Sequence, residues 1–187
     1  MKVHSIRFTT VLLVIGGLLW VFFGIRLANS PPGIPSKEIY RNSVGAMPWL
    51  SIGMLFITIG VAFLYRIFAL RKGIVRLAFI FIQIGGVLYF IGHSLRQFLN
   101  GGWEPAAPIG FILIIIGMFI FGLRSIKLKF FPHPSGYLIL LSSLCLLFFN
   151  DQFLTAWMSV PFGLIWIAIS GLLLKSRWRK NANQTIG

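Results

Sequence analysis

The feature that most constrains this chain is a succession of six apolar segments joined by short polar connections: Phe8–Ala28, Gly45–Tyr65, Gly73–Gly92, Ala106–Leu123, Gly136–Phe149 and Val160–Leu174. A helix rises about 1.5 Å per residue, so about 20 apolar residues are needed to cross a hydrocarbon core of about 30 Å. The first three segments meet that length and the fourth is slightly short. The last two fall well below it, so they are expected to thin the bilayer or to end beneath its outer surface. Only a helix pairs its own backbone groups within one segment in lipid. The expected fold is therefore an all-α membrane protein of six transmembrane helices. Residues 1–180 form a single domain and 181–187 a short cytoplasmic tail.

Composition closes off the alternatives. Of 187 residues, 57% are hydrophobic and 11% charged, against about 25% charged in a soluble domain. Mean hydropathy is +0.89. A soluble enzyme, a disordered tail and a disulfide-stapled secreted domain are excluded on these grounds. The lone Cys145 falls in the fifth segment, where it is expected to be a small core residue. The first segment begins with Lys2 and Arg7, as a signal peptide would. Its apolar stretch is too long for a signal core and contains Gly16-Gly17, so a retained signal-anchor helix is expected.

The 17 basic residues outweigh 3 acidic ones, and their placement is one-sided. Lys2 and Arg7 precede the first segment, and Arg66, Arg71, Lys72 and Arg76 fill the second connection. Arg124, Lys127 and Lys129 lie in the fourth, and Lys175, Arg177, Arg179 and Lys180 follow the sixth segment. Short basic connections stay in the cytoplasm, which puts both termini there and suits a plasma membrane. The net charge of +14 is then a fringe facing anionic headgroups on the cytoplasmic side, each residue attracting lipid by about 1 kcal/mol. Nucleic acid is not an expected partner.

The segments also repeat. Ser51-Ile52-Gly53-Met54-Leu55-Phe56-Ile57-Thr58-Ile59-Gly60 aligns with Pro108-Ile109-Gly110-Phe111-Ile112-Leu113-Ile114-Ile115-Ile116-Gly117, and both align with the stretch from Pro161 through Gly163 to Ser170. In the odd segments a basic or imidazole residue (Arg7, Arg76, His133) stands nine positions before a small pair, Gly16-Gly17, Gly85-Gly86 and Ser142-Ser143. The pattern predicts three tandem helical hairpins over 1–66, 67–127 and 128–180. Gly53 and Gly60, like Gly110 and Gly117, lie about two helical turns apart and so share a face. With Gly16, Gly17, Gly85, Gly86 and Gly163 they are expected to be packing seams, since small residues let helices approach closely in lipid.

Candidate chemistry is sparse. Acidic or basic residues deep in a membrane are costly and mark relays or ion paths. No segment centre holds one, and Gln83 is the most polar residue near mid-depth. The histidines His4, His93 and His133 form no i, i+4 pair and have no cysteine or aspartate cluster beside them, so no metal, haem or other cofactor is expected. On the outer side, Arg26, Arg41 and Arg96 stand with all three acids, Glu38, Glu104 and Asp151, and each outer loop region carries a tryptophan, Trp49, Trp103 or Trp157. The first outer loop is expected to run from Asn29 to Val44, stiffened by Pro31, Pro32 and Pro35. Pro48, Pro108 and Pro161 are expected at the starts of the even helices, where a missing N–H costs nothing. Arg26, Arg41, Arg96, Trp103, Glu104 and Asp151, with Gln83, are thus the candidate ligand- or partner-binding residues.

The expected role is a non-enzymatic module that binds a membrane protein partner or a lipid. The alternative is a small permease or substrate-binding subunit for a neutral or amphipathic solute, with a cavity around Gln83, Tyr89 and Trp166. A membrane enzyme would need His93, Glu104 and Asp151 to converge at the outer face.

Overall fold

The computed structural model describes residues 2–29, 37–67, 73–95, 105–129, 131–132, 134–150 and 154–185. Among them there is helix and no strand. The helices are α1 (Lys2–Ala28), α2 (Lys37–Ile67), α3 (Ile74–Phe90), α4 (Ala106–Leu128), α5 (Ser135–Phe148) and α6 (Ser159–Thr185). A π-helical turn, Ile91–Leu95, continues α3, and a 3-10 turn, Leu154–Met158, leads into α6. Five helices are long and apolar enough to cross a membrane, and α5 with its 14 residues is shorter. The chain is a helical membrane protein.

Several boundaries lie beyond the expected segments: α1 begins at Lys2 rather than Phe8, and α4 ends at Leu128 rather than Leu123. α2 begins at Lys37 rather than Gly45, and no glycine or proline interrupts the chain between Lys37 and Val44. The outer loop is shortened accordingly, and its Pro31–Pro35 stretch lies outside the described residues. The sixth segment is not short: an apolar span of 21 residues, Thr155–Lys175, takes in the 3-10 turn and most of α6, which runs on to Thr185, past the expected end of the domain at 180. Lys175 to Lys180 hold neither glycine nor proline, so charge ends the apolar stretch without ending the helix.

Each helix packs against its neighbours in sequence and α6 closes on α1, making a ring of six. Antiparallel seams hold it together. A Cβ added at Gly16 would lie 2.7 Å from the Gly53 carbonyl oxygen and 2.7 Å from Ile57 Cγ1. One added at Gly85 would lie 2.7 Å from the Gly110 oxygen and 2.9 Å from Ile114 Cγ1, so α1–α2 and α3–α4 use the same pair of positions. Gly117 completes the second seam against Ala78 and Ile82, and Gly60 faces Leu13 in the first. Gly86 backs onto Thr58, which draws α3 against α2.

The third pair departs from this pattern. Gly163 of α6 lies against Gly17 and Val21 of α1 rather than against α5. At the matching positions of α5, Ser142 and Ser143 donate to the carbonyls of Ile139 and Leu140, each at 2.7 Å. Ser142 Oγ also lies 3.7 Å from Met118 Sδ on α4.

The interior is apolar and aromatic, with Trp20, Met54, Tyr89, Ile114, Phe121, Phe162 and Trp166 all buried. Phe22, Ile84, Ile112, Leu147 and Phe148 are among the large apolar side chains left on the outside. On a soluble protein so much exposed apolar surface would be an aggregation hazard; here it is the surface that meets lipid.

Candidate functional site

The local irregularities of the ring gather at the end where α1 finishes and α2 begins, termed here the far end. Pro48 lies inside α2, not at its start. It has no N–H to donate, so one helical hydrogen bond is lost and the helix is disposed to kink. The Pro48 carbonyl accepts hydrogen bonds from Ser51 Oγ at 2.8 Å and from Ser94 Oγ at 2.9 Å, and the two hydroxyls are 2.5 Å apart. Ser94 belongs to the π turn, so α3 is fastened to α2 at the proline. One residue earlier His93 points elsewhere, its ring edge-on to Tyr89 with centroids 4.8 Å apart. On the other side of the turn, a Cβ at Gly92 would fall 2.7 Å from Ala107 Cα. The end of α3 and the start of α4 are therefore in backbone contact.

α5 contributes by stopping early. At 1.5 Å per residue a 14-residue helix reaches about 21 Å, some 9 Å less than a bilayer core. The chain turns to an extended conformation at Phe149. The result is a cavity of about 300 Å³, open to the surface and lined by Met47, Tyr89, His93, Ala107, Pro108, Phe111, Phe149 and Asn150. Its walls are mainly aromatic and aliphatic, its polar atoms are few, and His93 is the one lining side chain that ordinarily titrates near neutrality.

From this cavity the aromatic contacts continue inward. Tyr89 meets Phe111 at 5.6 Å between ring centroids, Phe111 meets Phe149 at 6.1 Å, and Phe149 meets Trp20 at 5.4 Å. Trp20 packs on Phe162 at 4.5 Å, and Phe162 on Trp166 at 6.4 Å. Trp20 and Trp166 are both 0% exposed, and neither indole N–H has a hydrogen-bond partner. A buried unpaired donor costs about 1–3 kcal/mol. Two of them in one aromatic cluster is an unusual expense for a core.

The residues expected at an outer binding site are placed as follows. Arg26 is exposed near the end of α1, its Nη2 3.9 Å from where a Gly45 Cβ would stand. Arg41 lies in the early turns of α2, where the backbone alone is described. Arg96, Trp103, Glu104 and Asp151 lie outside the described residues, so the convergence an enzyme would need falls there too. Gln83 donates from Nε2 to the Thr58 carbonyl at 3.0 Å, bonding α3 to α2. Neither Gln83 nor Arg26 lines the far-end cavity. Of the expected trio Gln83, Tyr89 and Trp166, Tyr89 lines it, and Trp166 lies three ring contacts inward from Phe149. Phe111, Phe149, Met47 and Asn150 were not anticipated; the early end of the fifth segment was the signal that could have found them.

A second hollow, of about 520 Å³, sits between α4 and α5 at the other end, lined by residues including Ser125, Lys129, Phe131 and Tyr137. Among the described residues no three metal-binding side chains are grouped. No protein-family model matches this chain, and neither does any curated protein or solved structure.

Proposed function

We propose that this protein is a non-enzymatic six-helix module of the plasma membrane that holds a small lipid-like molecule in the far-end cavity. The observation that carries this reading is the cavity itself, walled by Tyr89, Phe111 and Phe149 and with His93 and Asn150 as its polar groups. Ligand sites are typically concave, mostly apolar and oriented by a few polar groups. The one-sided basic connections support an orientation with both termini cytoplasmic, so the cavity faces outward. α5 would complete the sixth crossing by thinning the bilayer around its short end. The matching Gly16–Gly53 and Gly85–Gly110 contacts support a repeated hairpin as the building unit. The basic fringe would meet anionic headgroups on the inner side. A permease would need a path through the ring, and the fully buried cluster of Trp20, Phe162 and Trp166 stands in its way.

The test is native mass spectrometry of the full chain, extracted from its own membrane in mild detergent, beside an Asn150→Trp variant. Asn150 is exposed at the cavity edge, so a tryptophan there blocks the mouth without disturbing the core. The wild type should carry a small molecule in one-to-one ratio that the variant lacks. A wild type that flies bare, or a variant that keeps the adduct, would overturn the pocket reading. A stoichiometric protein companion with no small molecule would favour the partner-protein role instead.

A further inference from the structure

We propose that the hollow between the end of α4 and the start of α5 is a binding site for a phosphate group, with Lys129 as its cation. It is separate from the far-end cavity and independent of what fills that one. The hollow measures about 520 Å³, within the range of about 300–1,000 Å³ common for small-molecule sites. Ile126, Phe131 and Pro132 give it apolar walls, and Ser125, Lys129 and Tyr137 bring polar groups. Gly136 seats the first turn of α5 directly on α4: a Cβ there would lie 2.9 Å from the Ile126 nitrogen and 3.2 Å from the Ser125 carbonyl carbon. One side of the hollow is therefore helix backbone, which cannot rotate to close it. Lys129 stands one residue past the apolar span Ala106–Leu128, at the level of the lipid headgroups. It is also, among the described residues, the one non-glycine residue with a positive φ, 49°. Its N–H donates to the Ser125 carbonyl at 3.0 Å and closes the helix there. Glycine takes this conformation without strain, so lysine lowers stability here, and what it adds is a cation at the hollow. Strain held at one position in this way is commonly tied to function.

Nothing in the chain neutralises that cation. Arg76 at the start of α3, with Arg124 and Lys127 in the last turns of α4, stands at the same end and adds to the positive field. The whole sequence holds three acidic side chains, and each adjoins the far end: Glu38 is in the first turn of α2, Glu104 precedes Pro105 at the start of α4, and Asp151 follows Asn150. One residue advances the chain by about 3.8 Å, whereas α5 alone holds the two ends about 21 Å apart, so none of them reaches Lys129. Ser125 commits its proton to the Phe121 carbonyl at 2.6 Å, which leaves the Lys129 ammonium and the Tyr137 hydroxyl as the side-chain donors of the hollow. Lysine is a regular point-charge partner of phosphate, and phosphate is the anion that a membrane presents at headgroup depth. It comes from two sources: an anionic lipid, whose chains would lie on Ile126 and Phe131, or free inorganic phosphate.

The experiment takes the full chain in an uncharged detergent and titrates it with dioctanoyl-phosphatidylglycerol, with dioctanoylglycerol, which lacks the phosphate, and with inorganic phosphate. Binding is read as the one-to-one adduct in native mass spectra, and folding as the unfolding midpoint. Lys129→Gln should weaken the phosphate-bearing probe about tenfold. Arg76→Gln removes the same charge at the same end but outside the hollow, and should weaken it by about twofold or less. Lys129→Gly should lose the adduct while its unfolding midpoint rises, a combination that a lysine with a purely structural role would not give. Pro132→Trp fills the hollow and keeps the carbonyl that accepts from the Ser135 N–H at 2.7 Å, so it too should lose the adduct. Asn150→Trp, at the far-end cavity, should leave it in place. A phosphatidylglycerol adduct that excess inorganic phosphate does not displace assigns the site to lipid, and displacement by inorganic phosphate assigns it to the free anion. The proposal is overturned if neither phosphate-bearing probe binds, if Lys129→Gln and Arg76→Gln lose equally, if Pro132→Trp keeps the full adduct, or if Lys129→Gln weakens dioctanoylglycerol just as much. None of these results bears on the far-end cavity.

Discussion

Gly110→Ala should be among the more damaging single-methyl changes this protein can suffer. The added Cβ would stand 2.5 Å from the Tyr89 nitrogen, 2.6 Å from the Gly85 carbonyl oxygen and 2.9 Å from Leu88 Cβ. Two of these atoms are backbone and cannot rotate aside. Ordinary contact is about 3.5 Å, so α3 and α4 must part locally by about 1 Å, a gap that forfeits a quarter to a half of each dispersion contact it opens. Over-packing of this kind costs about 1–3 kcal/mol, which is a factor of about 5 to 150 in the unfolding equilibrium. Gly171→Ala is the matched control. Nothing lies within 4 Å of its Cβ position, so it should be neutral, or stabilising by up to about 1 kcal/mol through helix propensity. Reversible unfolding of the two variants in mixed micelles, titrated with a denaturing detergent, compares them directly. Gly85→Ala combined with Gly110→Ala should cost less than the sum, because the first methyl already opens the seam that the second would strain. If Gly110→Ala and Gly171→Ala unfold within about 0.5 kcal/mol of each other, the range of ordinary surface changes, the seam does not hold the ring together and the argument fails.

Other expectations rest on separate features. Lys129 closes α4 at φ 49° and ψ 32°, the left-handed region that disfavours a Cβ, so Lys129→Gly should stabilise the fold by about 1 kcal/mol, seen as a higher unfolding midpoint; a lower midpoint would refute it. Gln83→Leu removes one hydrogen bond between α3 and α2 and should cost only about 0.6 kcal/mol, the average for such bonds in membranes; a cost several times larger would show that Gln83 does more than join two helices. Trp166→Phe deletes an unpaired donor along with some volume, so its cost in unfolding titrations should stay within about 1 kcal/mol, well short of the roughly 3–5 kcal/mol for truncating a tryptophan to alanine. A green fluorescent protein fused at the C-terminus should fluoresce and alkaline phosphatase fused after Asn150 should be active; the opposite pattern would sink the positive-inside orientation.

Much of the scaffold was readable from residue type because lipid leaves a chain few options. Apolar length set where helices lie, and paired glycines such as Gly53 and Gly110 marked positions that the structure puts in seams, for in lipid little else brings backbones together. Boundaries were less readable wherever charge was taken for a stop. Lys37 to Val44 and Lys175 to Thr185 are polar yet helical, since hydropathy reports the solvent around a helix and not its hydrogen bonding. Pro48 was misplaced for a related reason: proline was assumed to begin α2, and the helix carries it inside at the cost of the bond its missing N–H would have made to the Val44 carbonyl. The cavity was hardest to see. Its lining comes from α2, α3, α4 and the end of α5, and which side chains share that space is decided by a π turn and a ring closure that no local pattern encodes.

Where the ring departs from regularity is informative in itself. The seams Gly16–Gly53 and Gly85–Gly110 obey one rule, and a chain built only from that rule would be a closed, featureless bundle. Three departures break it: the proline inside α2, the π turn that ends α3, and the early stop of α5. π turns are rare and concentrate at functional sites, and local irregularity retained against its cost commonly marks function. All three departures border the far-end cavity, through Met47 beside the proline, His93 in the π turn and Phe149 past the end of α5. The serines that replace glycine in α5 leave its contact with α6 without a glycine seam, while α6 turns its Gly163 to α1. Closure of the ring is thus carried by the glycine contact of α1 and α6, and past the end of α5 Phe149 lines the cavity while packing on Trp20. The glycine that α5 does keep, Gly136, packs on Ser125 and Ile126 of α4 at the opposite end.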